Sequence, residues 1–147
     1  MKDFDRNKNN VLGIVMLVIF VVSAGSFPGC TGSDTGGADQ KKNDFDQARQ
    51  LAGQWVRPDG GYILELREIK KDGSLTAAYF NPQPIKVFSA KWRRTEGKIA
   101  VFIELRDVNY PGSKYNVEYD PEADRFKGTY FQAVERKTFN IEFVRVK

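Results

Sequence analysis

Residues 98–108 of this chain, KIAVFIELRDV, alternate between two sets of side chains with a period of two. One set begins with four apolar residues, Ile99, Val101, Ile103 and Leu105, and ends with Asp107. The other set contains Lys98, Glu104 and Arg106. Because successive side chains of a β-strand point to opposite faces, this pattern predicts a strand with one face against a hydrophobic core.

Similar short runs recur from Leu51 to the C-terminus, separated by turn-forming residues. They predict eight strands, at residues 53–57, 62–69, 75–80, 85–93, 98–108, 114–119, 125–134 and 138–146. The alternation of the fourth run breaks near Phe88, which predicts a β-bulge there. A short helix, capped by Asp44, is predicted over residues 44–51. The fold class expected is all-β, an eight-stranded antiparallel up-and-down barrel with a short N-terminal helix.

The connections between the predicted strands are of two kinds. Those after the second, fourth and sixth strands are short polar turns, at residues 71–73, 95–97 and 120–124. Those after the first, third and fifth strands carry Pro, Asn, Gln and Tyr, at residues 58–61, 81–84 and 109–113. Alternate connections of an up-and-down barrel lie at the same end, so one end is loop-rich. Function is expected at that end, which we call the mouth.

Composition narrows the functional class. The 147 residues are enough for one globular domain, and 13% of them are aromatic, which favours a β-rich core. The chain has no histidine and one cysteine, which excludes Ser-His and Cys-His nucleophile pairs and an internal disulfide. A net charge of +4, spread along the chain, gives little support to nucleic-acid binding. A non-catalytic protein with no metal or cofactor is expected.

The first thirty residues have the organisation of an export signal. Lys2, Arg6 and Lys8 precede an apolar run at residues 11–22, which small residues and Cys30 follow. This order resembles a bacterial lipoprotein signal, which implies cleavage before Cys30 and lipid attachment to its thiol. An uncleaved membrane helix over residues 11–29 is the alternative, since about 20 apolar residues span a bilayer. Both interpretations place the domain in the cell envelope, outside the cytoplasm and attached to a membrane.

Three segments are expected. Residues 1–29 form the signal peptide, residues 30–43 the lipidated cysteine with a flexible linker rich in Gly and polar residues, and residues 44–147 the barrel domain.

A Gly-x-Trp sequence, Gly53-Gln54-Trp55, opens the first predicted strand, and Arg145 lies on the inner face of the last one. This arrangement resembles the lipocalin and avidin-like (calycin) barrels, in which a Gly-x-Trp opens the fold. In lipocalins a basic residue from a late strand packs over that Trp. The resemblance implies a cation–π contact between Trp55 and Arg145 at the end opposite the mouth.

Several polar or aromatic residues are predicted to lie at the mouth. The ligand-binding candidates are Tyr62, Tyr79, Asp107, Tyr110, Tyr115 and Gln132. They can line a small-molecule pocket, or the tyrosines can simply fill a narrow barrel. Asp107 either points inward, where burial would raise its pKa, or caps the turn after its strand. The function expected is a binding module for a small molecule. The alternatives are a scaffold that binds another envelope protein through its outer surface, and an enzyme built from Tyr, Asp and Arg.

Overall fold

The computed structural model describes residues 36–147, which form one helix and nine strands. The helix α1 spans Gly36–Arg49. The strands are β1 (Gly53–Val56), β2 (Ile63–Arg67), β3 (Thr76–Asn81), β4 (Gln83–Ile85), β5 (Val87–Thr95), β6 (Lys98–Asp107), β7 (Tyr110–Asp120), β8 (Arg125–Gln132) and β9 (Lys137–Arg145).

The strands form a single antiparallel sheet that curls into a nearly closed barrel. Its order is β4-β3-β2-β1-β9-β8-β7-β6-β5, so every strand except the two at the edges lies beside its neighbours in the chain, and β9 returns to pair with β1. The prediction of a mostly β, antiparallel barrel connected in chain order is confirmed. The predicted count of eight strands is wrong, because the structure has nine.

The extra strand is β4, which takes Gln83 and Pro84 from the predicted connection at residues 81–84 and Ile85 from the predicted fourth strand. Residues of β4 pair with β3, whereas those of β5 pair with β6. Since all pairings are antiparallel, β4 and β5 run in the same direction, as two halves of one run that changes partner at Lys86. The register of β5 shifts between Val87 and Ser89, which confirms the predicted bulge near Phe88.

The seam of the barrel lies beside β5. An isolated bridge joins Ser74 to Lys91, and the Trp92 amide donates a 2.7 Å hydrogen bond to the Gly73 carbonyl. The turn between β2 and β3 therefore closes part of the gap that β4 is too short to cover.

Helix α1 is longer than the helix predicted over residues 44–51. Its first eight residues, 36–43, belong to the segment for which the sequence predicts a linker, and they are helical in the structure. Asp44 lies within the helix instead of capping it, and its carboxylate accepts a 2.9 Å hydrogen bond from Arg94 of β5. Ala48 and Leu51 are fully buried, which fixes the end of α1 against the barrel.

Trp55 and Arg145 close the end of the barrel opposite the mouth, as the Gly-x-Trp resemblance implied. The two residues are directly paired between β1 and β9, and Cζ of Arg145 lies 4.1 Å from the centre of the Trp55 ring. The Trp55 indole donates a 3.0 Å hydrogen bond to the Leu51 carbonyl. Arg145 also donates to the carbonyls of Gln50 and Ala52, and it forms a 2.8 Å ion pair with Asp124. One arginine thus joins the last strand to the first strand, to the end of α1 and to the β7–β8 turn.

Gly53 is required by this contact. Its φ is +135°, a conformation that side chains strongly disfavour, and a Cβ at this position would lie 3.2 Å from Nη1 of Arg145. The glycine of the Gly-x-Trp sequence therefore makes room for the guanidinium that covers the tryptophan.

The substitution Gly53→Ala is expected to lower the free energy of unfolding by about 1–3 kcal/mol, through backbone strain and displacement of Arg145. Urea denaturation followed by tryptophan fluorescence measures the change. Gly37→Ala is the control, since no atom lies within 4 Å of the added Cβ. A Gly53→Ala variant as stable as the Gly37→Ala variant would contradict this account of the closed end.

The ion pair between Asp124 and Arg145 predicts a pH-dependent contribution to stability. Hydrogen bonding from Arg145 holds the pKa of Asp124 below its usual value, despite a smaller opposing effect of burial. A carboxyl whose folded pKa is lowered stabilises the protein above its unfolded pKa of about 3.9, and that contribution is lost as the pH falls further.

Asp124→Asn is therefore expected to lower the melting temperature at pH 7, with a difference from the wild type that shrinks below about pH 4. Asparagine tolerates the positive φ of 43° at this position, so the substitution does not change the melting temperature through backbone strain. Circular dichroism melts across the pH range, with Glu122→Gln in the same turn as control, measure the effect. A difference that is constant with pH would argue against the ion pair as its source.

Candidate functional site

Five of the six tyrosines lie at the mouth, in one connected group. This tyrosine cluster consists of Tyr62, Tyr79, Tyr110, Tyr115 and Tyr130. Tyr79 and Tyr115 are at most 1% exposed, whereas Tyr62 and Tyr110 are partly exposed. The cluster therefore extends from the barrel interior to its rim.

Arg57 lies in the middle of the tyrosine cluster. It follows β1 two residues after Trp55, so strand alternation places both side chains on the inner face. Arg57 is only 7% exposed, and its Cζ lies 4.6 Å from the centre of the Tyr62 ring and 5.5 Å from that of Tyr130. Each such contact stabilises the cation by about 0.5–2 kcal/mol.

The guanidinium of Arg57 has two hydrogen-bonding partners. Nη1 donates a 3.0 Å hydrogen bond to the Tyr115 hydroxyl, and Nε and Nη2 both donate to the carboxylate of Asp59. Burial opposes the charged form, but these hydrogen bonds outweigh it and raise the pKa of Arg57. The same contact lowers the pKa of Asp59. Arg57 is therefore a buried side chain that stays ionised. Among the described residues its only carboxylate partner is Asp59, which lies in the loop between β1 and β2.

Tyr79 and Tyr115 share a 2.7 Å hydrogen bond between their hydroxyls. Burial raises the pKa of both phenols, that of Tyr115 to about 12, although Tyr79 and Arg57 lower the latter in part. Both hydroxyls consequently keep their protons near neutral pH, and neither is suited to act as a general base.

The connections around the mouth are shorter than predicted. Gln83–Ile85 form β4, and the predicted loop at residues 109–113 is mostly the start of β7. The Asn81 side chain nevertheless donates a hydrogen bond to the Tyr110 hydroxyl. The third and fifth predicted strands therefore end close to each other, as expected at a shared end of the barrel.

Two of the candidate residues are not part of the tyrosine cluster. The Asp107 carboxylate accepts hydrogen bonds from the backbone amides of Lys86 and Val108, which lower its pKa. Asp107 therefore caps the turn, and the interpretation in which it points inward with a raised pKa is wrong. Gln132 is partly buried at the end of β8, opposite Lys137, and its side chain makes no hydrogen bond to the tyrosine cluster. The structure brings together the other four candidates in the tyrosine cluster: Tyr62, Tyr79, Tyr110 and Tyr115.

Exposed apolar side chains are concentrated around the rim of the mouth. Val108 is 90% exposed in the β6–β7 turn, and Val134 is exposed in the β8–β9 turn. Phe88 and Phe139, near the starts of β5 and β9, are also exposed. Phe139 stacks on Tyr130 at a centroid distance of 6.5 Å, so it continues the tyrosine cluster to the surface. Exposed apolar groups around a polar centre are typical of a binding surface.

The tyrosine cluster and Arg57 occupy the interior at the mouth, and cavities lie on the outer surface of the described residues. One of about 850 Å³ is lined mainly by outward residues of β5 to β8, including Lys91, Phe102 and Lys127. Another, of about 510 Å³, includes Pro58 and Asp59 beside β8 and β9. A further cavity, of about 640 Å³, lies beside Asp107. A ligand at the mouth would therefore lie on the rim and against Asp59, above the filled interior.

Arg57 and Tyr130 are the residues of this site that sequence reasoning missed as site residues. The alternation of residues 125–134 places Tyr130 on the same face as Phe126 and Gln132, but it does not indicate a role for Tyr130. The signal for Arg57 was available in the alternation from Trp55, because a charged residue at an inward position needs a partner.

Comparison with protein-family models, curated proteins and solved structures found no significant match to this chain. Within residues 36–147, no helix has the length and apolarity needed to cross a bilayer. The same residues contain no group of three or more acidic or cysteine side chains placed to hold a metal ion. The predicted lipid attachment at Cys30 lies outside the described residues.

Replacing Tyr115 by Phe is expected to lower the free energy of unfolding by about 1–3 kcal/mol, since buried hydroxyl and guanidinium groups lose their shared partner. Tyr62→Phe is the control, because the Tyr62 hydroxyl makes no hydrogen bond within the described residues and its loss costs under about 0.5 kcal/mol. Equilibrium denaturation compares the two variants. Equal stabilities would contradict a structural role for the Tyr79–Tyr115–Arg57 hydrogen bonds.

Proposed function

We propose that this chain is a lipid-anchored bacterial envelope protein whose barrel domain is a non-catalytic binding module. A small ligand binds at the mouth, and the lipid on Cys30 holds the domain at a membrane, outside the cytoplasm. The observation that carries the proposal is the placement of a buried cation, Arg57, within a tyrosine cluster that reaches an apolar rim. A small-molecule site typically combines a wall of aromatic and apolar side chains with a few polar groups that orient the ligand.

The two ends of the barrel support this choice of binding surface. Trp55, Arg145 and the end of α1 occupy the closed end, where the guanidinium of Arg145 is engaged by carbonyls and by Asp124. The mouth has four of the five exposed large apolar side chains among the described residues, and the carboxylate on its buried cation comes from a loop. The chain-order barrel and the Trp55–Arg145 contact also support the resemblance to the calycin barrels.

The protonation states at the mouth favour binding over catalysis. Tyr79 and Tyr115 have raised pKa values and Asp59 has a lowered one, so the pKa of each of these three groups is shifted away from neutral pH, where proton transfer would be most effective. Fixed charge and rigid aromatic rings are suited to recognition instead.

The sequence of the first thirty residues supports the anchor. Basic residues, the apolar run at residues 11–22 and small residues before Cys30 are the features of an exported lipoprotein. Because a single acyl chain binds membranes only marginally, the two acyl chains of a diacylated cysteine would provide stable attachment.

Native mass spectrometry of the full chain, expressed in its own host and extracted in mild detergent, tests both parts of the proposal. The expected mass is that of residues 30–147 with a lipid on Cys30, together with a retained small molecule. Tyr62→Ala at the mouth should lose the small molecule, whereas Phe102→Ala on the outer cavity should retain it. A mass that begins at Met1 without lipid would contradict the anchor, and a ligand-free wild type would contradict the binding module.

A scaffold that binds another envelope protein is the second candidate. The 850 Å³ cavity on the outer face of β5 to β8 favours it, since Phe102 and the basic residues Lys91 and Lys127 line a concave surface there. In the same experiment, a ligand-free barrel that retains a protein partner, and loses it with Phe102→Ala, would support the scaffold.

A further inference from the structure

We propose that Arg57 is the binding site for the carboxylate of a small organic acid, and that Asp59 occupies this site as an internal competitor in the free protein. The inference rests on the binding-module function proposed above, and it names the chemical class of the ligand.

The first support is the geometry of the Arg57 guanidinium. Its Nη1 donates to the buried Tyr115 hydroxyl, and its Cζ lies 4.6 Å from the centre of the Tyr62 ring and 5.5 Å from that of Tyr130. The remaining edge, formed by Nε and Nη2, is the fork that matches the two oxygens of one carboxylate. In this structure the fork is filled by Asp59, with Nε 3.0 Å from Oδ1 and with Nη2 bonded to Oδ2. The site is therefore already shaped for a carboxylate.

The second support is that the occupant comes from a loop and remains largely in solvent. The Asp59 side chain is 57% exposed, whereas that of Arg57 is 8% exposed. The loop is closed at its base by hydrogen bonds from the Arg57 amide to Tyr62 and from the Gly61 amide to Arg57. Neither bond involves Asp59, so its carboxylate can move away without breaking the pairing of β1 with β2.

The third support is the surface next to the fork. The Tyr62 ring lies against Arg57, and Phe139, which is 41% exposed, stacks on Tyr130. A carboxylate that displaced Asp59 would bind the guanidinium on which the Tyr62 ring packs, and it would lie at the 510 Å³ cavity that Asp59 lines together with Pro58 and Ile141. The ligand is therefore an organic acid with a flat or apolar body, in preference to an inorganic anion.

An internal competitor lowers the apparent affinity for an added ligand, because the ligand binds only during the fraction of time that the site is free of the competitor. Asn has nearly the size of Asp but lacks its charge, so Asp59→Asn should weaken the competitor and leave the fork available. The Asp59 carboxylate makes a charge-assisted hydrogen bond to two nitrogens of Arg57, and such bonds are strong. Weakening this bond in Asp59→Asn is therefore expected to raise the affinity of Arg57 for an added carboxylate by about tenfold.

Benzoate is the probe, titrated into the full chain while the NMR signal of the Arg57 Nε–H group is followed. Benzoate is expected to shift this signal and to bind Asp59→Asn about tenfold more tightly than the wild type. The control variant Glu122→Gln removes one exposed carboxylate from the opposite end and should bind benzoate like the wild type. Benzamide, which has the same ring without the charge, and inorganic phosphate, which has the charge without the ring, should both bind more weakly.

A second measurement on the wild type keeps the test decisive if Asp59→Asn is poorly folded. Benzoate should move the side-chain carboxyl carbon signal of Asp59 together with the Arg57 signal, because one carboxylate replaces the other. An Arg57 signal that does not respond to benzoate in either protein, or equal affinities of the wild type and Asp59→Asn, would overturn the proposal. Benzamide that shifts Tyr62 and Phe139 as strongly as benzoate would also overturn it, while leaving the binding-module function intact.

Discussion

The pairing of the last strand with the first is the constraint on which the rest of the structure depends. β1 and β9 are joined over a short stretch in which Trp55 pairs with Arg145 and Val56 with Val144. This contact turns a linear meander into a nearly closed barrel, and it brings together residues from the two ends of the described chain. Arg145 strengthens the short pairing, since it covers the Trp55 ring and binds the end of α1.

The Trp55–Arg145 contact closes one end of the barrel, and the candidate site lies at the other end, the mouth. Arg57 lies two residues beyond Trp55 on the same inner face, so the strand that is fixed at the closed end also positions the cation at the mouth. Hydrogen bonds join Tyr79, Tyr115 and Arg57 into one buried group at the mouth. Side chains that are already held in place lose little conformational entropy in a binding event, which suits the function that we propose.

Much of this fold could be predicted from the sequence, because a two-residue period is a direct consequence of strand geometry. The apolar positions of β6, Ile99, Val101, Ile103 and Leu105, are all buried as the pattern indicated. The break in alternation near Phe88 indicated the bulge. It did not reveal that the run changes partner at Lys86, because pairing is decided by the curvature of the whole sheet.

The site was harder to predict, for two physical reasons. A terminal strand residue such as Asp107 fits equally well at an inward position or as a turn cap, and the choice depends on the backbone amides that it meets. Arg57 was missed because a buried arginine is costly without partners, and its partners Asp59 and Tyr115 lie in a loop and on a distant strand. The helix was underestimated as well, since the ion pair of Asp44 with Arg94 that secures α1 joins residues far apart in the sequence.

The most direct test of this account is a nuclear Overhauser measurement between the backbone protons of β1 and β9 in the full chain. Closure in chain order predicts cross-strand contacts between Val56 and Val144, and between Trp55 and Arg145, as strong as those between β8 and β9. A spectrum in which β1 and β9 each contact other strands, as in an open two-layer sandwich, would contradict the barrel and the mouth that depends on it.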